Sequence, residues 1–358
     1  MKALIIGFFS KTYMPYMQRY EKIFKENHIE YDIVTFDRDS NGKIEQDGNT
    51  YLFKHTTGTN KLELLFLSIK YRRLIVKLLE KNQYDRLVIL TTMPGILIHR
   101  RLLKRYKNNY IFDYRDYTYE KIGIYRKIVD KIIQNSYCTL MSSKGYMKFF
   151  ENKDKIIITH NISNEEYQEE KAIDLSAKEN LNIGFLGYVR YFDVNSKLIN
   201  AFKNSEKVSF TYIGLPFRDC DLEGFCKEND IQNVKFMGRY ENSEKAKLYK
   251  DIDIINSIYS LDSEEVQPAI PNRLYDAALF KKPIITAKGT YLAQIVEEYQ
   301  LGFSINVYED DIKKSLEDYI NNFNEQEFTE KCNRFLEEIY QDEKKCNEAT
   351  EKFIQVKE

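Results

Sequence analysis

Short apolar runs, each followed by a longer stretch of helical period, recur along this chain and leave it few architectures. ALIIGFF (residues 3–9) precedes a helical stretch from Tyr16 to Asn27, and YDIVTF (31–36) follows it. Runs of this kind read as strands buried on both faces, and such strands need helices to cover them. The alternation continues with a polar, hairpin-like region (39–59), a helix from Lys61 to Asn82 and a strand from Arg86 to Leu90 that TTMPG closes. A helix from Ile96 to Lys107 and strands at Tyr110–Phe112, Cys138–Met141 and Lys155–Thr159 complete the first half. After a polar, acidic stretch (164–180) the pattern restarts with LNIGFLG, VSFTYIGLP (208–216), VKFMG (234–238) and LGFSIN, with helices at Leu222–Asn229, Ser243–Tyr249 and Leu292–Glu298. A chain of 358 residues carries more core than one domain usually holds. The expectation is α/β: two doubly wound, Rossmann-like domains, residues 1–163 and 181–330, joined by a linker at 164–180. Thr329–Lys357 is one long charged helix or a helix pair.

Several function classes fall away. Gly7 alone is not the G-x-G-x-x-G that a dinucleotide site needs after its first strand. No apolar run approaches the roughly 18 residues that span a bilayer, and ALIIGFF runs straight into SKTYMPY as a strand would, without a signal peptide's cleavage site. Five cysteines form no C-x-x-C pair, and four scattered histidines give no zinc spacing, so no metal site is expected. An odd cysteine count fits a reducing compartment, which makes the expected location cytoplasmic.

The most informative stretch is Ser263–Gly289, SEEVQPAIPNRLYDAALFKKPIITAKG. Pro271 suits the first turn of a helix, Ile270 before it is biased to extended backbone, and Lys281 and Lys282 suit the helix's negative end. IIT then reads as a buried strand. A loop leading into a helix N-terminus presents backbone N–H groups to an anion. Asn272, Arg273 and Asp276 share one face at spacings of three and four. That set suits a nucleotide diphosphate, with phosphate on Arg273 and the N–H groups and ribose on Asp276. A surface helix with an ion pair fits these residues as well.

PNRLYDAALFKKPIITAKG resembles the donor-site segment of retaining glycosyltransferases of the GT-B fold, above all family 4 of bacterial surface-polysaccharide type. The resemblance implies two domains facing across a cleft, with the C-terminal helix (331–358) crossing back onto the first. It places ribose on Asp276 and pyrophosphate on the backbone from Gln267 through Ala269 to Ile270. GYVR resembles the family's phosphate-binding motif at Gly187 and Arg190, and VKFMG its base-binding segment, followed by Arg239 and Tyr240. Asp113, Arg115 and Asp116 stand where the family faces the transferred sugar, and Asp116 is the closest match; an ion network tying loops together is the plain alternative. Three family features are missing: a Gly-Gly pair in the first loop, a Lys soon after Arg190 (the next is Lys197), and a Glu at position 268, which is Pro. Arg273 or Arg218 is then the candidate second charge, and Glu264 and Glu265 lie offset from the missing acid.

Residues 1–180 hold 31 Lys and Arg against 23 Asp and Glu, a net of +8, while the remainder nets −9. Lys70, Arg73, Lys77 and Lys81 form one helical stripe, and Arg100, Arg101, Lys104, Arg105 and Lys107 a second basic cluster. Either is a solvated helix face or a surface for an anionic membrane or lipid diphosphate. Nucleic acid is disfavoured, because aromatic residues do not interleave with the charges. The expected activity is hexosyl transfer from a UDP or GDP sugar, without cofactor or metal, to a glycan or polyprenyl-diphosphate-linked acceptor in capsule, exopolysaccharide or O-antigen synthesis. The location would be cytoplasmic or peripheral on the inner membrane face. The competing readings are a non-catalytic GT-B subunit binding a partner enzyme or glycan, and an epimerase of UDP-sugars.

Overall fold

A computed structural model describes residues 1–37, 44–55, 61–162, 172–217, 220–261 and 267–355. The linker stretch at 164–171, together with Arg38, Asp39, Arg218, Glu264 and Glu265, lies outside the described residues. The chain divides into two compact units, Met1–His160 with Tyr340–Glu358, and Asn161–Ile339.

In the first unit the described elements run β1 (Lys2–Ile6), α1 (Met17–Glu26), β2 (Glu30–Asp37), β3 (Ile44–Asp47), β4 (Thr50–Lys54) and α2 (Lys61–Lys81). They continue with β5 (Arg86–Leu90), α3 (Thr92–Arg105), β6 (Tyr110–Tyr114), α4 (Gly123–Asn135), β7 (Cys138–Met141) and β8 (Ile156–Ile158). The sheet order is β3-β4-β2-β1-β5-β6-β7-β8, parallel except for the β3–β4 hairpin. The order reverses at β1, whose flanking strands are β2 and β5, as a doubly wound sheet requires. Strands β1, β5 and β6 bury nearly every residue, which is why they read as unbroken apolar runs.

The second unit runs β9 (Leu181–Leu186), α5 (Phe192–Ala201), β10 (Val208–Ile213), α6 (Leu222–Glu228), β11 (Val234–Gly238), α7 (Lys245–Lys250) and β12 (Ile254–Ser257). After these come α8 (Asn272–Leu279), β13 (Ile284–Ala287), α9 (Tyr291–Tyr299), β14 (Gly302–Ile305), α10 (Ile312–Asn321) and α11 (Glu325–Gln355). Its described strands are all parallel, in the order β11-β10-β9-β12-β13-β14.

The unit division falls inside α11. Phe335, Leu336 and Ile339 pack into one core of the second unit, while Cys346, Phe353 and Ile354 pack with β1, β5 and α1 in the first. The tail is fastened by polar contacts too. Glu343 accepts from Arg19, from Thr159 Oγ1 (2.9 Å) and from the His160 backbone N–H (2.7 Å). His160 is buried, and that burial lowers its pKa to about 4 although Asp342 opposes the shift. Near neutrality its contact with Asp342, 3.3 Å from Nε2, is therefore a hydrogen bond.

Local differences from the expected pattern have physical reasons. β5 ends at Leu90 where TTMPG begins, but those residues already form the first turn of α3, which starts at Thr92 rather than Ile96 because Pro94 needs no N–H there. Helices α4, α5 and α10 add to the expected set. The tail is a single helix of 31 residues. Pro271 caps α8 from outside, and Lys281 leaves it in the left-handed region (φ 51°) while its ammonium donates to Ala278 O (2.9 Å).

Candidate functional site

At the carboxyl end of the second unit's sheet, β9, α7 and the start of α8 enclose a pocket of about 180 Å³. Leu186 and Gly187 line it from β9, Tyr240 and Asn242 from the loop after β11, Lys245 from α7, and Asn272, Arg273 and Asp276 from α8. Open parallel sheets bind ligands at this edge. Pro271 provides no side-chain cap, so the first N–H groups of α8 are left to whatever enters.

Asp276 is buried, and its carboxylate faces two donors from α7. Lys245 Nζ lies 3.1 and 3.0 Å from its two oxygens, and Tyr249 OH donates to Oδ2 at 2.9 Å. Lys245 and Tyr249 are four apart and so share one face of α7. The Tyr249 ring stacks on Phe280 with centroids 4.7 Å apart, which fixes α7 against the end of α8. Burial, followed by the charge of Asp276, raises the Tyr249 phenol well above its usual pKa, so it remains a donor.

Arg273, one turn earlier, is tied into the frame. Its Nη1 donates to Leu186 O (2.7 Å), Nη2 to Tyr259 OH (3.1 Å) and Nε to Ser257 Oγ (3.3 Å), and its plane lies over the Phe185 ring at 4.1 Å. Gly187 makes this possible: at φ 129° it carries no Cβ, which would stand 3.2 Å from Nη1. Gly214 (φ 137°) is constrained in turn, because a Cβ there would fall 1.9 Å from Gly187 O. Arg273 is thus a strut joining α8 to the ends of β9 and β12, with its edge on the pocket.

Behind the pocket lies a buried amide network. Asn195 Nδ2 donates to the carbonyls of Arg190 (2.9 Å) and Tyr191 (3.0 Å), while its Oδ1 accepts from Tyr212 OH (2.9 Å) and Asn256 Nδ2 (2.8 Å). All four hydrogen-bonding capacities of that amide are used. The network holds the β9–α5 turn, where Tyr191 adopts a left-handed conformation.

Among the sequence candidates, Gly187, Tyr240, Asn272, Arg273 and Asp276 converge on the pocket. Arg190 does not line it; it is exposed, with its guanidinium 4.1 Å above the Phe217 ring. Arg239 is exposed, and Gln267, Ala269 and Ile270 belong to the loop before α8 without lining the pocket. Gln267 O accepts from Tyr291 N (2.9 Å). Lys245 and Tyr249 are not among the sequence candidates, whose donor-site cations are Arg190, Arg218, Arg239 and Arg273. The four-residue spacing of Lys245 and Tyr249 was the available signal.

In the first unit Asp113 and Arg115 are committed to each other. Nε of Arg115 donates to Asp113 Oδ1 at 2.5 Å and Nη2 to Oδ2 at 3.0 Å, and Tyr20 OH also donates to Oδ2 at 2.6 Å. The guanidinium lies 4.3 Å from the Tyr16 ring centroid. Burial disfavours its charge, but Asp113 outweighs burial and holds it above the usual range. Asp113 is a residue of β6 rather than of a loop, so these two candidates form a buried pair, while Asp116 beyond them is exposed. Glu120 is a further buried carboxylate at this edge. It accepts from Thr118 N (2.5 Å) and Tyr114 OH (3.0 Å), and burial raises its pKa. In the Asp251-Ile252-Asp253 triplet, Asp253 accepts from Asn182 N and pairs with Lys178, a structural role.

Two α/β units built on largely parallel sheets match the GT-B fold of solved glycosyltransferases over nearly the full chain. No family model and no curated protein matches the chain. Solved structures do match. The lipopolysaccharide outer core galactosyltransferase WaaB aligns over 99% of this chain and 100% of its own, with a TM-score of 0.69 at 14% identity. Sucrose-phosphate synthase from Thermosynechococcus elongatus aligns over 99% and 94%, with a TM-score of 0.64 at 13% identity. HepE from Anabaena, solved with UDP-glucose, aligns over 94% and 100%, with a TM-score of 0.58 at 13% identity. WaaB and sucrose-phosphate synthase are GT-B glycosyltransferases, and at such identities the likeness is one of fold.

Proposed function

We propose that the protein transfers a glycosyl group from a nucleotide-diphosphate sugar to a hydroxyl acceptor. The observation that carries this reading is the pocket at the start of α8, where a buried carboxylate, an ammonium and uncapped backbone N–H groups meet. Ribose hydroxyls would bond Asp276, and the base would lie against Tyr240. Lys245 would turn from Asp276 to the diphosphate as the ribose takes over the carboxylate. The leaving diphosphate gains charge as the glycosidic bond breaks, and Lys245 with the α8 N-terminus would stabilise it without proton transfer. A UDP or GDP sugar, a retaining and metal-independent course, and a role in bacterial capsule, exopolysaccharide or O-antigen synthesis complete the reading. The acceptor, a glycan or polyprenyl-diphosphate-linked glycan, is assigned to the first unit. The solved UDP-glucose complex of HepE supports a nucleotide sugar as donor. Calorimetry with UDP, GDP and their sugars in chelator tests the site, and release of nucleotide diphosphate across an acceptor panel tests the activity. No binding of any nucleotide would refute the site.

The second reading is a GT-B subunit that binds nucleotide without turnover. The closed Asp113–Arg115 pair and Pro268 at the place of the family's acid favour it. Binding without release on any acceptor would select it.

A further inference from the structure

Helix α2 buries Leu67, Tyr71, Ile75 and Leu78 in the core of the first unit and turns its other side outward. On that outer side Leu62, Leu65, Phe66 and Ile69 stand at i, i+3, i+4 and i+7, and they are 75, 60, 56 and 40% exposed. Scattered exposed apolar side chains need no explanation, but a ridge two turns long does. The same side continues with Lys70, Arg73, Lys77 and Lys81, all exposed. The ammonium of Lys70 lies 4.5 Å from the Phe66 ring centroid, where the ridge meets the basic row.

The four cations border a groove of about 590 Å³ between α2 and the β3–β4 hairpin, floored by Tyr51, Phe53, Leu74 and Leu78. Of the two carboxylates on α2, Glu80 bonds Arg101 on α3 (2.7 Å) and Glu63 is half-buried. The groove therefore joins concentrated positive charge to an apolar floor, beside an apolar ridge. A soluble anion would leave the ridge without a role, and an uncharged bilayer would leave the cations without one.

We propose that this groove holds the phosphorylated headgroup of an anionic bilayer lipid, with the ridge entering the boundary of the acyl chains. Charge complementarity selects the phosphate, and the ridge is the geometry of a helix lying in a membrane interface. The inference stands apart from the sugar-transfer reading, because every residue it uses belongs to α2 and the neighbouring hairpin.

The test is co-sedimentation of the full chain with vesicles of phosphatidylcholine, alone or mixed with phosphatidylglycerol. The wild type should sediment with the mixed vesicles and not with the neutral ones, and salt should release it. Combining Lys70→Glu, Arg73→Glu and Lys77→Glu should weaken this about a hundredfold. Combining Leu65→Ser with Phe66→Ser should weaken it about tenfold or more. All five side chains are exposed, so melting temperatures should hold, and the single variant Lys77→Gln serves if a multiple variant misfolds. Equal sedimentation with neutral vesicles, or with none, overturns the proposal. So does an unaffected Leu65/Phe66 variant whose binding soluble glycerol phosphate abolishes, since that marks a site for free anions. Binding confined to an acidic protein or a nucleic acid also overturns it.

Discussion

Replacing Lys245 by Met removes the ammonium that faces both oxygens of Asp276 at 3.0–3.1 Å, in a pair whose side chains are 12 and 7% exposed. Deleting one partner of a buried pair generally costs about 3–5 kcal/mol. Here Asp276 keeps the Tyr249 hydroxyl and opens onto the pocket, so the expected loss is about 2–3 kcal/mol. For a unit of this size that lowers the melting temperature by about 5–10 °C. Binding should respond differently. If Lys245 moves to the diphosphate, the variant loses a charged hydrogen bond of about 1.5–3 kcal/mol, and UDP affinity falls about 10–150-fold. Uridine lacks the diphosphate and should bind the variant as it binds the wild type. Lys245→Arg should restore most of the UDP affinity. Titration calorimetry below the variant's melting range reads all of these. Equal weakening of UDP and uridine would show that Lys245 only shapes the pocket, and the proposed exchange of partners would be wrong.

Asp276→Ala should weaken UDP and uridine alike, by about 1.5–3 kcal/mol in calorimetry, because both present the ribose. Asp113→Ala strands the buried Arg115 and should cost about 3–5 kcal/mol in denaturant unfolding. Asp116→Ala should leave melting and nucleotide affinity in place yet lower turnover about a hundredfold or more, if it meets the transferred sugar. His160 has a folded pKa of about 4 against an ordinary 6.5, so the unfolded chain binds the extra proton between those values. Stability should therefore be lost as pH falls from 6.5 towards 4, by up to about 3 kcal/mol. His160→Gln should flatten that slope in pH-dependent unfolding.

The architecture was legible because parallel strands buried on both faces have no polar alternation to hide them; β1, β5 and β13 stand out in the letters alone. Helix α4 was not, since only Val129, Ile132 and Ile133 of its residues are fully buried and its charges mask the stripe. Within the pocket, α8 announced Asn272, Arg273 and Asp276 through spacing. What spacing withholds is where each charge is spent. Nothing in the letters says that Arg273 reaches back to Leu186 O, or that α7 returns so that Lys245 meets Asp276. The outward ridge of α2 was hidden for a related reason: its first turns are apolar around most of the circumference, and the helix's rotation on the sheet decides which residues stay wet.

The shared helix α11 also sets an order of events during synthesis. The first unit's sheet is complete once β8 has emerged, but Cys346, Phe353 and Ile354, which close one of its cores, come about 180 residues later. At roughly 5–20 residues per second the ribosome needs about 10–35 s to make that stretch. Throughout that interval Ile5, Val88 and Ile111 lack their final cover, and Arg19 and His160 wait for Glu343. A nascent chain arrested before residue 340 should thus present a sticky, half-capped sheet to chaperones, and the unit that begins at Met1 should finish folding only after the second unit has been made.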